Sequence, residues 1–217
     1  MKWAAFTLTI ALLITLNAKA DVEVNLKQFS DTSGDEYFKF GSWRGIEVKY
    51  QEDPESLFYF ISYDTASVSL AFDINFLGMG AGFKNPLTSS TNIYGQLGYY
   101  FVETSLEGRF DCPLPCGEGL HYLLNRKWEP LHNRGLLKFE EYEIESEGGL
   151  GITFGIETTH KLTKDTSLVF GLEFRALDFT LGVHGMAPEQ NYNKTGARWE
   201  TQFKSASSTA FKVSYLF

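Results

Sequence analysis

Few residues in this chain have the types and spacing to do chemistry. Histidine occurs four times, at His121, His132, His160 and His184, and cysteine twice, at Cys112 and Cys116. A nucleophile and its base must lie within reach of each other, and none of the four histidines has an obvious serine partner in sequence. No catalytic residue is assigned, and the balance of the sequence is against an enzyme. Cys112-Pro113-Leu114-Pro115-Cys116 suits a disulfide closing a small loop, as an oxidising compartment permits. The sharper alternative is zinc held with His121 and His132, but the spacing matches no strong signature. No metal and no cofactor is expected.

Two further clusters carry charge. Glu140, Glu141, Glu143, Glu145 and Glu147 alternate with Phe139, Tyr142 and Ile144. Oxygen ligands suit a divalent cation, but the alternation reads first as a solvated strand extension. Between Glu118 and Leu131, Leu120, Leu123, Leu124, Trp128 and Leu131 fall on one face of a short helix. Arg126, Lys127 and Arg134 beside it are the residue types that meet lipid phosphates.

The elements that must position these groups begin after a leader. Met1-Lys2 is a minimal basic start, Trp3 to Leu16 is almost unbroken apolar sequence, and Ala18 and Ala20 are small. This is a cleavable secretory signal over residues 1–20, with cleavage expected between Ala20 and Asp21. The apolar run falls short of the ~17–25 residues of a spanning helix. Residue 21 is not cysteine, which excludes a lipoprotein. Without Lys2 and Lys19 the mature chain, residues 21–217, keeps 17 bases against 27 acids, a charge of −10. An acidic chain without a basic stripe excludes nucleic acid as a partner.

Alternation with period two dominates the mature chain. Leu150, Ile152, Phe154 and Ile156 share one face, with Gly151, Thr153, Gly155 and Glu157 on the other. Leu168, Phe170, Leu172, Phe174 and Ala176 oppose Val169, Gly171, Glu173 and Arg175. Val68, Leu70, Phe72, Ile74 and Phe76 oppose Ser69, Ala71, Asp73 and Asn75. Successive strand residues point to opposite faces, so each segment has one apolar side and one small or polar side. An apolar outside and a lumen of small residues and ions is the pattern of a membrane barrel. On this parity Glu23, Lys27, Glu47, Lys49, Asp73, Glu157, Glu173, Arg175 and Lys212 face the lumen. Five acids against four bases in a narrow space predict ion pairs that plug it.

Polar segments 51–56, 85–91 and 160–165 read as short turns, with Pro54 barred from a ladder position. Strands are then expected near 22–29, 37–50, 57–63, 67–84, 91–106, 146–160, 166–182 and 201–217. Outer loops follow near 30–36, 64–66, 107–145 and 183–200. The fold class is all-β: an eight-stranded antiparallel up-and-down transmembrane barrel with one long outer loop. Its last strand places Phe211, Val213, Tyr215 and Phe217 on one apolar face. In a soluble protein such a free apolar strand would invite aggregation.

These features together resemble the small outer-membrane barrels typified by the transmembrane domain of OmpA and by OmpX and OmpW. The likeness rests on the signal and on Ala81-Gly82-Phe83-Lys84 running into Asn85-Pro86-Leu87-Thr88. It continues through Asn92-Ile93-Tyr94-Gly95-Gln96-Leu97-Gly98-Tyr99 to the terminal Phe217. The resemblance implies the outer membrane of a Gram-negative bacterium as location. It also implies that Phe211, Val213, Tyr215 and Phe217 form the signal read by the barrel-assembly machinery. Outer-membrane lipids, lipopolysaccharide and a surface ligand are the partners it suggests. The expected role is structural or surface interaction. A small pore is one alternative. The other is a lipid A-modifying enzyme, although no histidine here stands in the His-x-Ser strand pattern of the deacylases.

Overall fold

The computed structural model describes residues 21–33, 40–51, 57–68, 72–105, 108–110, 141–186 and 198–217. The leader, Cys112 and Cys116, His121 and His132, and the 118–134 segment lie outside these residues. The ten strands are β1 Asp21–Ser33, β2 Phe40–Gln51, β3 Phe58–Val68, β4 Phe72–Pro86 and β5 Thr91–Thr104, then β6 Gly108–Phe110, β7 Glu141–Glu147, β8 Gly149–Lys161, β9 Ser167–Met186 and β10 Arg198–Leu216. Eight of them close a barrel in the order β10-β1-β2-β3-β4-β5-β8-β9, with β9 pairing back onto β10. Every pairing is antiparallel. The short β6 and β7 form a ladder beyond this ring, with β7 pairing to β9 above β8. The acidic segment Glu141–Glu147 is therefore a strand extension of the barrel wall.

The ladder is strongly staggered. Partners followed around the ring from Asp21 run through Gln51, Phe58, Gly82, Gln96, Thr153, Arg175 and Ser208, and return to β1 at Thr32. A climb of that size over eight strands tilts them by roughly 40°. Val22 and Phe217 exchange both backbone hydrogen bonds at 3.0 Å, which joins the two chain ends.

Two turns share one chemistry. In Leu87-Thr88-Ser89-Ser90-Thr91 and Leu162-Thr163-Lys164-Asp165-Thr166, the first threonine hydroxyl accepts from the two backbone N–H groups that close the turn. The leucine and threonine N–H groups donate to the carbonyl of the last threonine. Side-chain hydrogen bonds of this kind stand in for ladder bonds where the chain must reverse.

Apolar side chains face outward over a limited height. On β9 the band runs from Leu168 to Ala176, with Phe170, Leu172 and Phe174 exposed. At about 3.3 Å per residue and a tilt of roughly 40° this rises about 20 Å, close to the ~25 Å band of membrane barrels. Above it the outward face turns polar. One pairing row carries Leu26, Ile46, Tyr63, Leu77 and Phe101; the outward row above carries Gln28, Arg44, Thr65, Asn75 and Glu103.

The interior changes in the opposite sense at about the same level. Phe29, Trp43, Ile74, Phe76, Phe179, Leu181, Val183 and Phe203 are buried inside the loop end of the barrel. Trp43 stacks on Phe29 at 4.3 Å and on Phe76 at 5.5 Å, and Phe76 meets Phe179 edge-on at 5.4 Å. Where water replaces lipid outside, the usual inward preference of apolar groups returns.

Several expectations need correction: residues 30–33, 183–186 and 198–200, expected in outer loops, belong to β1, β9 and β10. Residues 64–66 are not an outer loop but lie within β3. Residues 67 and 68, read as the start of the next strand, end β3; β4 begins at Phe72. The alternation places Ile74 and Phe76 on the lipid-facing side and Asp73 in the lumen; instead Ile74 and Phe76 are fully buried in the interior, and Asp73 stands exposed on the outside. That stretch of β4 lies above the apolar band, where the parity of the strand continues but the chemistry of its two faces reverses.

A candidate lumenal charge network

Below the aromatic layer, the inward positions are small or ionic, with the rings of Phe58, Phe60, Tyr94 and Tyr100 among them. On β4 the inward series after Phe76 is Gly78, Gly80, Gly82 and Lys84. These glycines are a floor for large side chains from neighbouring strands. A Cβ at Gly80 would stand 2.1 Å from the Leu97 carbonyl oxygen and 2.8 Å from the Phe60 ring. A Cβ at Gly78 would meet Tyr100 and Ser62. The space given up by β4 holds the aromatic rings that line the charges.

Eight of the nine predicted inward charges lie in the lumen and are buried: Glu23, Lys27, Glu47, Lys49, Glu157, Glu173, Arg175 and Lys212. Asp73 does not join them. Two residues that the sequence reading missed do: Asp64 on β3 and Lys84 on β4. Asp64 falls in the expected loop 64–66, and Lys84 shares the parity that the alternation of Ile74 and Phe76 gives to the lipid side. Among the described residues the lumen thus holds five acids and five bases.

Some bridges follow the wall within a strand or between neighbours, and others cross the barrel. Lys84 of β4 reaches Glu23 at 2.6 Å and Glu157 at 2.8 Å. Lys212 of β10, on the opposite wall, reaches Glu23 at 3.2 Å and also binds Glu157. Two ammonium groups and two carboxylates therefore form a closed square. A second chain begins at Asp64 of β3, paired with Arg175 of the opposing β9. Arg175 continues to Glu173 at 3.3 Å. Lys27 then joins Glu173 at 3.0 Å to Glu47 at 2.9 Å, and Lys49 stands 3.5 Å from Glu47.

Aromatic and amide groups connect the two sets. The Tyr94 hydroxyl donates to Glu173 at 2.7 Å, while the ammonium groups of Lys49 and Lys212 lie 4.0 and 4.3 Å from the centre of its ring. The Gln96 amide donates to Glu47 at 2.9 Å. The Arg175 guanidinium lies 4.7 Å from the Phe29 ring, at the base of the aromatic layer. Ring faces attract cations and carry no charge of their own, so they support the ammonium groups without adding acids.

Other candidate residues stand apart from this network. His160 is exposed near the end of β8. His184 is buried on upper β9, 3.6 Å from the largely exposed Glu145. Among the described residues no group of His, Cys, Asp and Glu is placed to hold a metal ion. Phe211, Val213 and Tyr215 share the outward face of β10, Phe217 follows just past its end, and all but the half-buried Val213 are exposed.

No protein-family model matches the chain, and no curated protein matches its sequence. Solved structures do resemble it. Neisserial surface protein A is 12% identical, with a TM-score of 0.47 over 90% of this chain and 96% of that one. The outer membrane protein OprG from Pseudomonas aeruginosa is also 12% identical, with a TM-score of 0.46 over 91% and 96%. The outer membrane protein AlkL is 9% identical, with a TM-score of 0.42 over 91% and 89%.

Proposed function

We propose that this chain is an outer-membrane barrel of structural or surface-interaction type whose lumen is closed to ions and solutes. The closed antiparallel ring satisfies its backbone internally, as a bilayer requires, and its outward apolar band has the height of a membrane core. The observation that carries the closure is the crossing of the lumen by bridges between opposite walls. The square of Lys84, Lys212, Glu23 and Glu157 and the Asp64–Arg175 pair occupy the space through which an ion would pass. The stacked Phe29, Trp43 and Phe76 sit above them. An eight-stranded barrel has room for little besides its own side chains. Among the described residues, five acids set against five bases leave the lumen no net charge to draw an ion in.

Planar-bilayer recording of the refolded protein tests this reading. The expected result is an electrically silent membrane under conditions where a control porin conducts. Reproducible single-channel steps from the native sequence would refute closure and favour a small pore.

A further inference from the structure

The outer wall carries a feature that the lumen does not explain. Leu26 of β1, Ile46 of β2, Tyr63 of β3, and Phe211 and Val213 of β10 line an apolar groove on the lipid-facing side. Arg44 stands at its head. It is two residues above Ile46 on the same face of β2, a rise of about 7 Å along the strand. It lies in the row where the exterior turns from apolar to polar, between Gln28 and Thr65. Its guanidinium is exposed and has no partner among the described residues. Both neighbours in its row are uncharged and already engaged. Gln28 donates to the Trp43 carbonyl at 3.1 Å, and Thr65 donates to Asn75 at 3.1 Å.

The geometry points to a lipid site: an acyl chain in the groove and a phosphate on Arg44. This inference rests on the membrane reading above. An unpaired guanidinium at headgroup height offers a fork of donors matched to phosphate oxygens, and neither residue beside it in the row, Gln28 or Thr65, is an acid. The groove below accepts a hydrocarbon chain along Leu26, Ile46 and Val213. The site opens toward the loop end, which faces the outer leaflet when the short turns face the periplasm. The occupant is therefore the phosphorylated, multiply acylated glycolipid of that leaflet, of the lipid A type.

Native mass spectrometry of the detergent-purified protein, titrated with diphosphoryl lipid A, tests the site. Folding of each variant is checked by heat-modifiable gel migration, and insertion into vesicles by protease protection. The native chain should retain lipid A. Arg44→Gln should weaken retention about tenfold, the scale of one lost charge-assisted contact, and Arg44→Lys should recover much of it. Ile46→Trp, which fills the groove but keeps Arg44, should weaken it as well. Unchanged retention in Arg44→Gln or in Ile46→Trp would overturn the site. Equal, Arg44-dependent retention of phosphatidylglycerol would overturn the choice of glycolipid. A native chain that inserts into vesicles but retains no lipid A sinks the site alone. One that never inserts sinks the membrane reading and the site with it.

Discussion

Asp64 and Arg175 lie on opposite walls of the barrel, β3 and β9, and pair directly across the lumen with both side chains fully buried. Neither charge has water to fall back on. The cost of desolvating both groups is offset only while they face each other, because a buried charge without its partner is far less stable than a buried pair. Arg175→Met should therefore destabilise the barrel by roughly 3–5 kcal/mol. The double variant Asp64→Leu with Arg175→Met should cost much less than the two single changes added together, since it removes both charges. Urea titration of the protein refolded into lipid vesicles measures all three. Additive losses would mean that the pair does not act as a unit.

Conductance should appear when the square loses its cations. Lys84→Gln combined with Lys212→Gln leaves Glu23 and Glu157 facing each other with two of their bridging ammonium groups removed. The expected result is small currents that favour cations over anions, read as a reversal-potential shift in a salt gradient. A variant as silent as the native protein would place the seal in the aromatic layer instead.

Two glycines on β4 and β5 should respond differently to alanine. At Gly80 the added methyl would strike the Leu97 backbone carbonyl at 2.1 Å. A backbone cannot swing aside, so a loss of about 1–3 kcal/mol is expected. At Gly95, on the outer wall, the nearest atom is the tip of the Phe83 ring at 3.0 Å. That ring can rotate toward lipid, and the change should cost less than at Gly80. Unfolding of the two variants in vesicles makes the comparison; equal losses would argue against the floor role of Gly80.

Phe217→Ala should separate assembly from stability. Phe217 is partly exposed, and its ring lies 5.6 Å from that of Tyr215 at the strand end. Losing it should cost the finished barrel at most a few kcal/mol, below the range for a fully buried aromatic. If the terminal face is the assembly signal, outer-membrane levels in cells should fall sharply while the variant still refolds in vitro. Normal insertion in cells would remove that role. Failure in both settings would assign Phe217 to packing.

Much of the architecture was legible in the residues because period-two alternation is a local property of a strand. Leu150 to Ile156 on β8, Phe170 to Phe174 on β9 and the end of β10 present the faces that their spacing predicts. The inward placement of Glu157, Glu173, Arg175 and Lys212 followed from the same parity. The sequence alone thus determined a closed sheet with an apolar outside and a charged inside over the height of a bilayer. What it left undecided was where that rule ends, because Ile74 and Phe76 look the same whether lipid or a neighbouring wall covers them. Only the staggered ring sets the height of each residue, and that height explains why Ile74 and Phe76 fill the inside while Asp73, in phase with the exposed Leu77 and Met79, stands outside; on the same parity Lys84 falls within. The left-handed Ser205, with φ of 57°, likewise shifts the register of β10 between Lys204 and Ala206. Its inward parity changes there, from Phe203 to Ala206 and Ser208. A bulge reverses the two faces of a strand at one residue, and nothing in the local alternation marks the place. The partners across the lumen are more distant still. Asp64 and Arg175 are 111 residues apart in the chain, and they meet because eight tilted strands close on a space narrow enough for two side chains to span.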